Sequence, residues 1–256
     1  MKAEKQAQME APREGKCKPM KKHLSVLMLY VRSTLYKFLL LILIMAALQG
    51  VFFALAFRGA DGVFALNTIL RGSRLGMIFT VCFLALCALL CLNGCEFGSR
   101  QGYTLSRLRI SGKMTFFWQS VSNAGFVFLF WAAQVGITLM FCAVYTAHYP
   151  QQQAAMLSFY SNDILHNLFP LEETGILIRN AALLAALAVA SASFPVRMRR
   201  GERPTSVVAV ALICVVFFVR GIGNSITNVL ISVLVIAISS HAAYGVCKEA
   251  GDAQLS

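Results

Sequence analysis

Charge is what this chain has least of. Only 13% of its 256 residues are Asp, Glu, Lys or Arg, where a soluble domain carries about 25%, and 58% are hydrophobic. That deficit excludes most water-soluble folds. Long polar segments are missing as well, so no stretch outside the apolar runs is large enough to bury a core of its own. Any catalytic domain that works with this chain must belong to another polypeptide. The chemistry-bearing motifs are also absent. There is no His-Glu-x-x-His, nucleophile elbow, EF-hand or Cys-x-x-Cys. The only Gly-Lys pairs, Gly15-Lys16 and Gly112-Lys113, lack the glycine spacing and the following hydroxyl residue of a phosphate loop. A cleaved signal peptide is not expected either. Ala54-Leu55-Ala56 mimics a cleavage site, but the apolar region before it is too long and too far from Met1.

Cysteine is present but not where disulfides form. Cys82, Cys87, Cys91, Cys95, Cys142 and Cys214 fall inside apolar runs, and Cys17 and Cys247 lie in the terminal segments. Cys87, Cys91 and Cys95 recur every four residues and share a helix face, which suits small polarizable side chains packing helix on helix. The four histidines are scattered and bring no metal-ligand spacing.

What the chain does have is apolar length. Residues 38–57 carry no charge (FLLLILIMAALQGVFFALAF), and a helix of about 20 such residues crosses a hydrocarbon core of about 30 Å. Six spans are expected: Phe38–Phe57, Leu75–Cys95, Phe126–Ala147, Gly175–Phe194, Thr205–Val219 and Ile226–Val246. The third is preceded by apolar Thr115–Gly125, so its helix should outrun the bilayer. The fifth is short of the usual minimum of about 17 residues, and a break at Arg220-Gly-Ile-Gly-Asn-Ser225 makes it a tight hairpin or a re-entrant turn with the sixth. The expected fold is therefore an all-α, polytopic integral membrane protein. It divides into a basic tail (1–23), a segment 24–37, a six-helix transmembrane domain (38–246) and a short C-terminal tail (247–256). Residues 24–37 mix Leu, Val, Met and Tyr with Lys and Arg, and read equally as an interfacial amphipathic helix or as an extension of the first span.

The charges that exist are lopsided. Eighteen of the 23 Lys and Arg residues fall in the N-terminal segment, the loops after the second and fourth spans, and the C-terminal tail. The long loop Tyr149–Thr174 has no Lys or Arg, only Asp163, Glu172 and Glu173. The positive-inside rule then places both termini in the cytoplasm of a multi-pass plasma-membrane protein. Topology accounts for the net charge of +12, together with anionic-lipid contact, and leaves no need for a nucleic-acid partner.

Two ionisable residues sit within spans. Arg179 lies about one turn from the outer end of the fourth span, near Glu172 and Glu173, and His241 adjoins Ser239 and Ser240 in the sixth. Arg179 either pairs with those carboxylates or faces a translocation path; His241 either bonds to a neighbouring helix or lines the same path.

The loop between the second and third spans is the most specific stretch. It runs Glu96-Phe-Gly-Ser-Arg100-Gln-Gly102-Tyr103-Thr104-Leu105-Ser-Arg107-Leu108-Arg109-Ile110, a short basic amphipathic segment. Its wording and place resemble the cytoplasmic loop of type-2 ATP-binding-cassette permeases, as the outer-loop residues Ser158-Phe-Tyr-Ser161, Leu165-His166 and Pro170-Leu-Glu172 resemble small bacterial permeases of that kind. Tyr103 interrupts the family's Gly-Thr pair, and the family's proline is absent. The resemblance implies an export permease subunit whose residues Glu96–Ile110 dock on a separate cassette ATPase, with a second permease copy or a related subunit beside it. ATP and Mg would be held by the ATPase and no cofactor by this chain. Two alternatives stay open. One is an intramembrane lipid-modifying enzyme using Asp163, His166 and Arg179; the other is a membrane anchor or sensor.

Overall fold

The computed structural model describes residues 19–58, 66–93, 95, 111–148, 163–168, 170, 173–198, 201–203, 205–219 and 224–252. Among them 94% are helical and none is in a strand. Among the described residues eight helices follow in chain order: α1 Pro19–Arg58, α2 Leu66–Gly72, α3 Leu75–Asn93, α4 Gly112–His148, α5 Asp163–Leu168, α6 Thr174–Met198, α7 Thr205–Val219 and α8 Ser225–Asp252.

Five of these contain stretches long and apolar enough to cross a membrane: Tyr30–Arg58, Leu75–Asn93, Gly112–His148, Thr174–Met198 and Ser225–Lys248. The sixth expected span, α7, is a 15-residue apolar helix, about 22 Å long, and falls short of that length. Large apolar side chains cover the outward faces, among them Leu43, Val51 and Leu55 on α1, Met77 and Val81 on α3, and Ile226, Val229 and Val233 on α8. Water does not tolerate an apolar exterior of that extent, so this is a membrane protein.

Several boundaries differ from those expected. The first span does not begin at Phe38: Pro19–Arg58 is one unbroken helix of 40 residues, so residues 24–37 extend the span instead of forming a separate interfacial element. No Gly or Pro occurs between Met20 and Gln49 to break it. The second span stops at Asn93, two residues before Cys95, and the Asn93 side chain bonds α1. The third is a single helix of 37 residues, about 55 Å long, well beyond the bilayer core. The last helix runs on through residue 252, so most of the expected C-terminal tail is helical.

The bundle is organised around α6, which packs on α4, α8, α7 and α3, while α1 packs on α3 and α4. Its sequence explains the role. Ala186, Ala188, Ala190, Ser191, Ala192 and Ser193 are all buried, and small side chains let neighbouring backbones approach closely. Directions follow from matched contacts. Phe38 meets Phe126, Gln49 meets Gln134, Phe53 meets Phe141 and Phe57 meets His148, so α1 and α4 run parallel. Arg179 meets Asn228 and Arg197 lies against Gly245, so α6 and α8 also run parallel. Ser33 and Asn93 join the start of α1 to the end of α3, which are antiparallel.

Three apolar clusters stack along the bundle. Phe116, Ala192 and Val246 lie near the end that carries Lys113, Arg197 and Lys248, called here the basic end. A central core includes Phe79, Phe83, Phe130 and Phe218, which make tilted and edge-on ring contacts across α3, α4 and α7. At the far end, Leu66, Ile69 and Leu70 of α2 pack with Phe53, Phe141 and Tyr145.

Candidate functional site

In hydrocarbon an unpaired polar group costs several kcal/mol, so the buried polar side chains are the informative ones. They form a seam through the helix interfaces. Near the basic end, Ser33 donates to Asn93 Oδ1 at 3.1 Å, and Asn93 Nδ2 donates to Thr34 Oγ1, clamping α1 to α3. Asn123 Nδ2 donates to Ser191 Oγ at 2.9 Å, joining α4 to α6. Between α1 and α4, Gln49 Nε2 donates to Gln134 Oε1 at 2.8 Å, and Gln134 in turn donates to Thr138 Oγ1.

At the far end stands the one buried charge among the described residues. Arg179 is 1% exposed. Its Nη1 donates to Asn228 Oδ1 on α8 at 2.9 Å and its Nη2 to Asn180 Oδ1 at 3.2 Å. The guanidinium carbon lies 5.4 Å from the ring centre of Phe217 on α7, a cation–π distance. Asn180 Nδ2 donates at 2.6 Å to the carbonyl of Asn167 in α5, and Trp131 Nε1 donates to the neighbouring carbonyl of Leu168. Short helix α5 is thus tied across the far end of the bundle, over the arginine. The hydrogen bonds described for Arg179 come from amides; Glu173 is exposed, and Glu172 lies outside the described residues. Among the described residues the cation is held by amide dipoles on α6 and α8 and by the ring face of Phe217 on α7.

The seam is not fully saturated. Arg179 Nε, Gln49 Oε1 and Gln119 Nε2 are buried with no hydrogen-bond partner among the described residues. A polar interface with spare donors and acceptors can re-pair in a second packing.

Other expected site residues fall elsewhere. His241 is exposed on α8, 13 residues and about 20 Å along the helix from the Arg179 partner Asn228, so the two are not brought together. Glu96, Arg100, Gly102, Tyr103, Thr104, Leu105, Arg107, Leu108, Arg109 and Ile110 all lie outside the described residues. The base of their loop is nonetheless fixed. The Asn93 clamp holds one side, and Ser111 opens α4 on the other, its carbonyl accepting from the amides of Met114 and Thr115. Of the trio considered for lipid chemistry, the side chain of Asp163 lies outside the described residues, His166 is half-buried, and no Arg179 hydrogen bond reaches it. Cys82, Cys87, Cys91, Cys95, Cys142 and Cys214 are buried free thiols in the helix contacts. Among the described residues no three His, Cys, Asp or Glu side chains gather as a metal-binding group.

The sequence reading missed Asn123, Gln134, Asn180, Ser191 and Asn228. A signal was available on α4, where Gln119, Asn123, Phe126, Phe130, Gln134 and Thr138 recur every three or four residues on one buried face. Compared with protein-family models, curated proteins and solved structures, the chain matches none.

Proposed function

We propose that this chain is the permease subunit of a type-2 ATP-binding-cassette exporter in a bacterial plasma membrane. The observation that carries the reading is the seam of hydrogen-bonded polar residues on the interfaces of an apolar bundle, above the fixed base of the loop 96–110. Interhelical hydrogen bonds in a membrane are worth about 0.6 kcal/mol on average, so such interfaces can exchange partners between two packings at modest cost. That is what rocking between inward- and outward-open states requires.

In this reading the basic end is cytoplasmic, both termini lie there, and α7 counts as a sixth crossing whose short length is met by local thinning of the bilayer. ATP and Mg belong to a separate cassette ATPase, and a second permease copy or related subunit completes the path. Arg179 lies on the path. His241, which faces outward, meets the path only across the contact with that second subunit.

Leu105 and Leu108 are the apolar anchors of the docking segment, with Arg107 and Arg109 at its rim; buried apolar anchors dominate such contacts. Leu105→Asp with Leu108→Asp should abolish co-purification of the cassette ATPase, without loss of membrane insertion. Arg107→Ala should weaken it in a salt-dependent way. Retained binding and substrate-stimulated hydrolysis in the double variant would remove the loop from the coupling role. If the wild-type chain captures no ATPase, the permease reading fails, and the lipid-modifying enzyme and the membrane anchor are what remain.

A further inference from the structure

The bundle carries a lateral cleft that the seam does not explain. It lies between α4, α6 and α8 near the basic end, with a volume of about 540 Å³. Phe116, Phe117 and Ala124 of α4, Ala188 of α6 and Ala243 of α8 give it an apolar lining, and Lys113 stands at its mouth. We infer that this cleft holds one acyl chain of an anionic phospholipid from the leaflet at the basic end, with the lipid phosphate at Lys113.

Three observations support that occupant over a helix of a second copy. The first is length. From Lys113 to Ala124 the cleft follows eleven residues of α4, about 16 Å, which is about half of a 30 Å hydrocarbon core. Beyond Ala124 the same face of α4 carries Val127, Phe128 and Trp131, none of which lines the cleft. A partner helix would need a groove through both leaflets, whereas an acyl chain needs one. The second is charge. No residue lining the cleft is acidic, Lys113 is exposed at the mouth, and exposed Lys248 follows Cys247, which also lines it. The Arg197 guanidinium lies against Gly245 of α8, where Nη2 is 3.6 Å from the place a Cβ would take, an ordinary contact distance. Lys113 is thus the cation that lines the cleft, at the headgroup end of an apolar slot. The third is width. Ala124, Ala185, Ala188 and Ala243 leave open space that larger side chains would have filled.

Because the chain leaves one hydrocarbon setting for another, selectivity comes from the phosphate and from packing, and the lipid exchanges with the bilayer. Trp118, on α4 between Phe117 and Gln119, is a built-in reporter. The full-length protein in a Trp131→Phe background is reconstituted in phosphatidylcholine vesicles containing a minor fraction of bromoacyl phosphatidylglycerol, and in matched vesicles in which bromoacyl phosphatidylcholine is the minor species. The anionic lipid should quench Trp118 several-fold more than its mole fraction predicts, and the zwitterionic one should not. Lys113→Glu should lower the enrichment about fivefold, and Ala124→Phe, at a half-buried position that fills the slot, should remove it while circular dichroism stays helical. Equal quenching by both lipids in the wild type overturns the inference. So does enrichment that survives both variants, which would mean general surface attraction, or enrichment lost only with Lys113→Glu, which would mean a headgroup without a chain in the cleft. Efficient disulfide cross-linking between copies through Ser120→Cys, without lipid enrichment, would give the cleft to a second copy and overturn it too.

Discussion

Arg179 and Lys113 carry the same charge at opposite ends of one bundle, and the protein treats them in opposite ways. Arg179 is buried and held by two asparagine carbonyls and a phenylalanine face on three different helices. Lys113 is exposed on the first turn of α4, beside an apolar cleft, with its ammonium free to meet headgroups. The difference teaches how a membrane protein sorts its cations. A charge that must stay inside recruits amides, since dipoles stabilise it without fixing it to one partner. A charge at the interface needs only water and lipid phosphate. The planar guanidinium, with five donors, suits the first task and the compact ammonium the second.

The comparison can be broken most directly at Asn228. Asn228→Leu removes the shorter hydrogen bond to a buried cation and should destabilise the bundle by about 2–3 kcal/mol, read as a lower unfolding midpoint in detergent. The Arg179→Met, Asn228→Leu double variant should recover much of that loss, because no buried charge is then left without its partner. Additive losses would show that the two residues do not act together. A smaller effect is expected at the neutral seam. Gln49→Leu leaves Gln134 short of a partner and should cost about 1 kcal/mol, while Gln49→Leu with Gln134→Leu should be nearly neutral. A double loss larger than the single one would mean that the pair is needed for packing as well as for polarity. The smallest effect belongs to Lys113. Lys113→Glu should move the unfolding midpoint by less than about 0.5 kcal/mol. A large shift there would erase the contrast between the two ends.

Much of the fold was legible because hydrocarbon demands long uncharged helices, and few sequences other than spanning segments supply them. The apolar runs marked α1, α3, α4, α6 and α8, and Thr115–Gly125 announced the overlong α4. Helix ends were harder to read. The Asn93 side chain at the end of α3 finds its partners in Ser33 and Thr34, 60 and 59 residues away, and the continuity of residues 24–37 with the first span depends on the absence of a breaker in a segment whose composition also suits an interface. Arg179 stood out as a charge within a span, but its partners did not. Asn180 and Asn228 are single amides in apolar company, and only the parallel packing of α6 and α8 brings the second of them to the guanidinium. The paired glutamines were invisible for the same reason. A lone Gln49 in an apolar run is unremarked until α4 lies beside it.

That last pairing has a consequence for how the chain is made. Gln49 and Gln134 are 85 residues apart, and α2 and α3 are synthesised between them. At about 5–20 residues per second the ribosome needs roughly 4–17 s to deliver the second amide after the first. For that interval the Gln49 amide of α1 has no α4 to receive it. The pair between α1 and α4 thus closes only after α2 and α3 have been made, and the contacts of α6 with α4, α7 and α8 come later still in synthesis.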